Sequence, residues 1–314
     1  MKRSICLLLC LLFSFSCLSG CAAKKDGSEK IKIVTTVFPP YDFARAIAGD
    51  KAEITQLVRP GSESHSFEPT PADVKQAQDC SLFLMIGGES ESWAERLNES
   101  ADNINRKTVV LSEYVTLRES GSGEHHEGET HAHHNHSHVH EHDEHIWTSP
   151  LNAVKMSEAI LNALCEIDEK NIEYYKANFA SLKNELEALD GQFRALSKSA
   201  DKDLVFGDRF PFLYLTEEYG FHYLAAFPGC AEQTEPDIKT LTRLIEHIKE
   251  ENIPCVFYTE FSSRKTANML CEETGASPLL LHSCHNVTKE ELNRGETYLS
   301  LMKNNLENLK IAFK

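Results

Sequence analysis

The chain has 314 residues, with 48 acidic against 32 basic side chains and a formal net charge of −16. That balance argues against a nucleic-acid partner, which would be repelled, and suits a ligand that is itself a cation. The length is ample for a sizeable core and suggests two domains.

Met1, Lys2 and Arg3 make a short basic start, followed by the apolar run Ile5 to Phe15 and then Leu18-Ser19-Gly20-Cys21. This order reads as a secretory signal. The run is shorter than the roughly 20 apolar residues of a membrane-spanning helix. Leu-Ser-Gly-Cys resembles a bacterial lipobox, which implies cleavage before Cys21 and a lipid on its thiol. Residues 1–20 are then a signal peptide and 21–30 a polar, lipid-anchored tether. The folded body would lie outside the cytoplasm, anchored to the cell membrane. Six cysteines follow Cys21, an even count that permits disulfides in such a compartment. No CxxC pair is present, so a structural zinc ribbon is disfavoured.

The elements alternate. Ile31 to Phe38 reads as a buried strand ended by Pro39-Pro40, Tyr41 to Gly49 as a helix, and Ala52 to Val58 as a strand closed by Arg59-Pro60-Gly61. Thr70 to Gln78 starts a helix on Thr-Pro. Ser81 to Ile86 is a strand, Trp93 to Ser100 a helix, and Thr108 to Leu111 a short strand. Pro150 to Cys165 is an amphipathic helix. The stretch Asp168 to Ser199 carries apolar residues at steps of three and four, from Ile172 to Leu196. At 1.5 Å per residue it would be roughly 45 Å long, enough to pass from one lobe to another.

The second half repeats the alternation, with strands at 203–207, 223–227, 255–258 and 278–282. Its helices fall at 211–219, 237–251, 264–274 and 298–313. The predicted fold is α/β with two lobes, each a mostly parallel sheet flanked by helices, joined by a long rigid helix. The N-terminal lobe spans 31–150, the connecting helices 151–199 and the C-terminal lobe 200–314.

Ten of the fifteen histidines fall between His125 and Trp147. His125, His126, His131, His133, His134, His136, His138, His140, His142 and His145 lie there among Glu and Asp, and no core can be built from such a segment. Imidazole suits Zn, Cu, Ni and Fe, so the composition is metal-binding. Its low hydrophobicity and high charge predict disorder in the metal-free protein. Tethered imidazoles would raise the local concentration of metal as an auxiliary capture segment over 120–142.

In open α/β sheets the ligand site lies beyond the carboxyl ends of the strands. The loop after the second strand reads Gly61-Ser-Glu-Ser-His65-Ser-Phe-Glu68-Pro69-Thr70-Pro71. It resembles the G-x-x-x-H-x-x-E-P-[TS]-P signature of zinc- and manganese-binding receptors of bacterial ABC importers. Asp143-Glu-His145-Ile-Trp147-Thr-Ser-Pro150-Leu-Asn152 resembles the same family's D-x-H-x-W-x-x-P-x-N element. Tyr219-Gly220 and the closing Tyr298-Leu-Ser-Leu-Met-Lys-Asn304-Asn-Leu also fit, so the resemblance covers essentially the whole mature chain. The His-rich loop just before the second ligand looks like the zinc branch.

This resemblance implies a monomeric binding protein, not an enzyme, that carries Zn²⁺ as its transported ligand to a membrane permease and its ATPase. His65 and His145 take the two first-lobe ligand positions. The second lobe departs from the pattern. Counting back from Tyr214 and Tyr219 puts Arg209, which cannot ligate a metal, in the slot of a family histidine, with Asp208 beside it. The family's last-strand carboxylate is replaced by Leu280-Leu281-His282-Ser283-Cys284-His285. The resemblance therefore implies an exchange in which Asp208 and His282 complete a His₃–carboxylate set. His285 rivals His282, Glu260 rivals Asp208, and an Arg209–Asp208 ion pair is the structural alternative. Trp147 is expected to pack the loop.

Cys230 and Cys284 both fall in loops at the predicted cleft end, where they can form a disulfide or supply a thiolate. Within the same family Mn²⁺ or Fe²⁺ is the alternative cargo, although a histidine majority favours zinc. A secreted metallohydrolase is disfavoured by the lack of HExxH and of paired histidines at helical spacing outside the tract. An adhesin or passive metal store could coexist with transport.

Overall fold

The computed structural model describes residues 30–64, 67–101, 103, 105–120, 142–227 and 236–314. The expected signal peptide, the lipid-bearing Cys21, most of the tether, His65, Cys230 and all but the last two histidines of the tract lie outside them. Residues 31–314 form one compact unit.

Two four-stranded sheets carry it. The first has β1 (Ile31–Thr35), β2 (Ala52–Gln56), β3 (Leu82–Met85) and β4 (Lys107–Val110) in the order β2-β1-β3-β4. The second has β5 (Leu204–Phe206), β6 (Tyr223–Ala225), β7 (Cys255–Tyr258) and β8 (Ser277–Leu280) in the order β6-β5-β7-β8. Every pairing is parallel. The two sheets thus share one topology, and each reverses strand order beside its first strand, where ligand sites form in such sheets.

The helices arise where the periodicity placed them, with three differences. Helix α1 (Phe38–Ala48) begins at Phe38 rather than Tyr41 and takes Pro39 and Pro40 into its first turn. Proline is tolerated there because the first helical N–H groups have no intrahelical acceptor. Helix α2 (Pro71–Asp79) starts in a capping box between Thr70 and Asp73, and α3 spans Ser92–Glu99. Helix α4 (Pro150–Ile167) leads to α5 (Ile172–Ser197), which is 26 residues long, about 39 Å at 1.5 Å per residue. This is shorter than predicted because the chain runs through a separate tight turn at Glu169–Asn171. Asp168 accepts hydrogen bonds from Asn171 Nδ2 at 2.7 Å and Tyr175 Oη at 2.5 Å across that turn.

In the second half come α6 (Leu213–Tyr219), α7 (Ile238–Glu250) and α8 (Lys265–Thr274). Then follow α9 (Lys289–Arg294), which the apolar pattern did not reveal, and α10 (Tyr298–Ala312). Helix α9 is short and amphipathic on no face; the Thr288/Glu291 capping box starts it and Gly295 ends it.

Helix α5 buries Tyr175, Phe179, Leu182, Leu186, Leu189 and Phe193 as one stripe. The stripe packs on α4 and α1 and, further along, on α10 and α6. One apolar cluster runs without a break from Phe43 and Phe83 through Leu186 and Phe193 to Phe206, Tyr214 and Leu306. A smaller cluster around Leu244, Val256 and Leu270 lies under α7 and α8. Among the described residues, no helix is long and apolar enough to cross a membrane. Leu186→Ala is expected to destabilise the protein by about 2–5 kcal/mol through transfer and cavity costs. Urea unfolding followed by circular dichroism should show it as a single lowered midpoint with an unchanged slope, because both lobes share this core.

Candidate metal centre

The loops at the carboxyl ends of the strands converge on a cavity of about 430 Å³. Ser62, Glu63 and Ser64 enter after β2, His145 after β4, Asp208 after β5, Glu260 after β7, and Ser283 and His285 after β8.

His145 is buried at 5% exposure. Asp143 Oδ1 accepts its backbone N–H at 2.8 Å and lies 3.1 Å from its Nδ1. A carboxylate there holds the proton on Nδ1 and leaves the lone pair on Nε2, the tautomer a metal needs. His285 Nδ1 lies 3.3 Å from Ser64 Oγ. The two imidazoles stand edge to face with centroids 5.5 Å apart. Two imidazoles on one zinc, with Zn–N near 2.0–2.1 Å, would be separated by about 5 Å. Trp147 packs against both rings, at 5.3 and 5.0 Å, and donates its Nε1–H to Ser283 O at 2.8 Å. It packs the loop as expected.

The carboxylates differ in what they keep available. Asp208 engages only Oδ2, which accepts from Thr259 N at 3.2 Å and Thr259 Oγ1 at 2.6 Å. Glu260 uses both oxygens on Ser283, accepting its N–H at 2.8 Å and its hydroxyl at 2.5 Å. Asp208 does not pair with Arg209. The guanidinium instead lies 3.7 Å from Glu63. Burial, with the charges of Glu260 and Asp208, pushes the Glu63 carboxyl up against the opposing pull of Arg209. The cavity thus holds three carboxylates, Glu63, Asp208 and Glu260, against the cations Arg209 and Lys265.

His282 does not line the cavity. It is buried at 2% exposure behind the wall, 3.7 Å from Glu260 through Nδ1 and 3.7 Å from Glu291 through Nε2. Asn305 of α10 grips its backbone, accepting from His282 N at 2.7 Å and donating to His282 O at 2.7 Å. Cys284 then takes a left-handed turn at φ 61°, which brings His285 rather than His282 to the cavity. Cys284 is a free, fully buried thiol directed at His282 O. Cys230, its expected disulfide partner, lies outside the described residues.

Among the described residues, no three His, Cys, Asp or Glu side chains close on one point. The segment Ser62 to Ser64 on the cavity wall leads directly into His65, outside those residues. His142, at the end of the tract, pairs with Glu119, and Asp143 N donates to Arg118 O at 2.9 Å. The root of the His-rich segment therefore sits beside His145. Glu144 is tied to Ser90 N at 2.8 Å, and burial pushes it up to about 7. Gly88, at φ 112°, is required here, since a Cβ would meet the Glu144 carboxyl at 2.5 Å.

Asn286 escaped the sequence reading. It is 1% exposed, accepts from Gln56 Nε2 at 2.9 Å, and donates to Arg59 O at 2.8 Å and Ser62 O at 2.9 Å. On either side of it, Phe38 N donates to His285 O at 3.2 Å and Gly61 N to Val287 O at 2.8 Å. A polar loop residue carries no local signal for such a role.

A family model described as ZnuA, zinc-uptake complex component A, periplasmic, matches residues 33–312. The chain belongs to this family. The high-affinity zinc uptake system protein ZnuA of Bacillus subtilis is 34% identical over 305 residues, covering 97% of this chain and 94% of that one. The zinc-binding lipoprotein AdcA of Streptococcus pneumoniae is 33% identical over 306 residues, covering 96% of this chain and 59% of its own length. Among solved structures, the metal-dependent lipoprotein YcdH of B. subtilis superposes with a TM-score of 0.76 at 30% identity, over 90% of this chain and 99% of that one. The Zn(II)-bound ZnuA-like domain of AdcA gives 0.74 at 28% identity, over 91% and 99%. The ZnuA-family fold thus holds for both sheets and the long helix.

Two outcomes test these supports. Asn286→Ala should cost about 1–3 kcal/mol, because Gln56 Nε2, Arg59 O and Ser62 O each lose a partner; chemical denaturation measures it. Glu291 is held down to about 2 by His282 and by the N–H and hydroxyl of Thr288. Its folded pKa is depressed, so its contribution is present above about 4.5 and lost as pH falls toward 2. Melting temperatures recorded from pH 6 to pH 2.5 should therefore fall more steeply for wild type than for Glu291→Gln.

Proposed function

We propose that the chain is an extracytoplasmic zinc receptor, anchored by lipid on Cys21, that delivers Zn²⁺ as a monomer to the permease and ATPase of an ABC importer. The observation that carries this reading is the pair His145 and His285. They face one cavity from two lobes, and the Ser62–Ser64 wall precedes His65 in the sequence. His65, His145 and His285 supply three imidazoles. Asp208 supplies the carboxylate, because it keeps one oxygen uncommitted. A His₃–carboxylate set suits four-coordinate zinc over the oxygen-rich sites of Mn²⁺. The names of the zinc-binding relatives support the same cargo.

In this reading binding and release, rather than hydrolysis, are the chemistry of the set. The His-rich segment rooted beside His145 acts as an antenna that captures metal weakly and passes it to the cleft. Ligation requires neutral imidazole, so both functions weaken as pH falls through about 6.5.

Competition titration against a zinc chelator tests the ligand set. His145→Ala and His285→Ala should each lose at least about ten-fold in affinity, since removal of a ligand costs more than removal of a supporting partner. His282→Gln should keep zinc affinity while lowering stability. Deleting 121–141 should leave one tight zinc and remove the weaker equivalents. Undiminished affinity in His285→Ala, or its collapse in His282→Gln, would restore the sequence-based assignment.

A further inference from the structure

We infer that this site takes its zinc as a complex with a small organic carboxylate, held at its far end by Arg209. The inference rests on the zinc-receptor reading and names the form in which the metal is bound.

Space is the first observation. The cavity of about 430 Å³ lies in the range of small-molecule pockets, whereas a single ion with its ligating atoms fills one corner of it. The volume corresponds to on the order of a dozen waters at roughly 30 Å³ each.

Arg209 is the second. It lines the cavity in the slot where the sequence resemblance expects a ligating histidine. Among the described residues its guanidinium makes no hydrogen bond, and its ion pair to Glu63 is 3.7 Å long and between side chains 35% and 45% exposed. Such a solvated pair contributes little. Asp208, its neighbour in sequence, is turned away to Thr259. A permanent cation on the wall of a dication site is repelled by the cargo, and the solvated Glu63 carboxylate at 3.7 Å offsets only part of that charge. The planar guanidinium fork matches a carboxylate in two parallel hydrogen bonds.

The third observation is apolar surface. Leu241, Phe261 and Met269 line the same cavity. An inorganic anion has no use for them, but the carbon skeleton of a hydroxy- or amino-carboxylate does. One end of such a molecule chelates the zinc, which can expand to five-coordinate beside Asp208. A carboxylate at the other end meets Arg209.

Native mass spectrometry of the metal-stripped full chain tests this, with zinc added alone and then with citrate or L-histidine. Wild type should hold zinc and one carboxylate together, and should hold no carboxylate without zinc. Arg209→Gln should lose at least about ten-fold in carboxylate retention, the worth of a bidentate charge-assisted pair. It should also bind bare zinc more tightly, because a positive charge has left the cavity. Zinc-loaded wild type that retains neither citrate nor L-histidine overturns the inference. So does Arg209→Gln that keeps the carboxylate, or that loses bare zinc and carboxylate together, as a merely structural arginine would. Wild type that binds no zinc at all instead sinks the receptor reading, and this inference with it.

Discussion

The carboxamide of Asn286 is the constraint on which the site depends. It sits at the point where the loop after β8 crosses to the first lobe, and its hydrogen bonds to Gln56, Arg59 and Ser62 join the two halves there. The peptide groups of His285 and Val287 accept from Phe38 and Gly61 on either side. A buried polar network of this kind is all-or-none. Satisfied, it fixes a unique register; with one member missing, the others stay desolvated and unpaired. His285 is next to Asn286 in sequence, and Ser62 is three residues before His65. One clamp therefore fixes His285 and the Ser62 segment on opposite sides of the cavity.

The fold supplies the rest of the geometry through parallel strands. Each loop that reaches the cavity follows the carboxyl end of a strand, so residues far apart in sequence arrive on one side of two similar sheets. Helix α5 and the unbroken apolar cluster beneath it make the lobes one packed body. Tyr298 reinforces this by donating its hydroxyl to Trp147 O at 2.5 Å and its backbone N–H to Asp42 at 2.8 Å. Trp147 in turn packs against both imidazoles. The distance between His145 and His285 is thus set by core packing and is not left to the loops.

Much of this was legible in advance. The alternation of β-branched runs with helical periodicity revealed every described strand, although continuous burial holds only for the inner strands β3, β5 and most of β7. The stripe on α5 was equally plain. His145 was legible from the element that Asp143 and Trp147 share with it, and Trp147 packs the loop as expected. Helix α9 was not legible, since it buries no face and depends on its caps. The choice between His282 and His285 was not legible either. Both follow the last strand, and what separates them is a left-handed turn at Cys284, a residue type that does not announce one.

By itself the sequence determined the α/β class, the two similar lobes and the family, because periodicity and local motifs act within a few residues of each other. Only the tertiary structure decided which second-lobe groups face the cavity. Asn305 pulls His282 inward and Thr259 holds one oxygen of Asp208, while Asn286 carries His285 across to the other lobe. Each of those contacts joins different elements of the chain, and the last reaches across some 220 residues, from Asn286 to Ser62. Hydrogen bonds over such separations leave no periodic trace in the order of the amino acids.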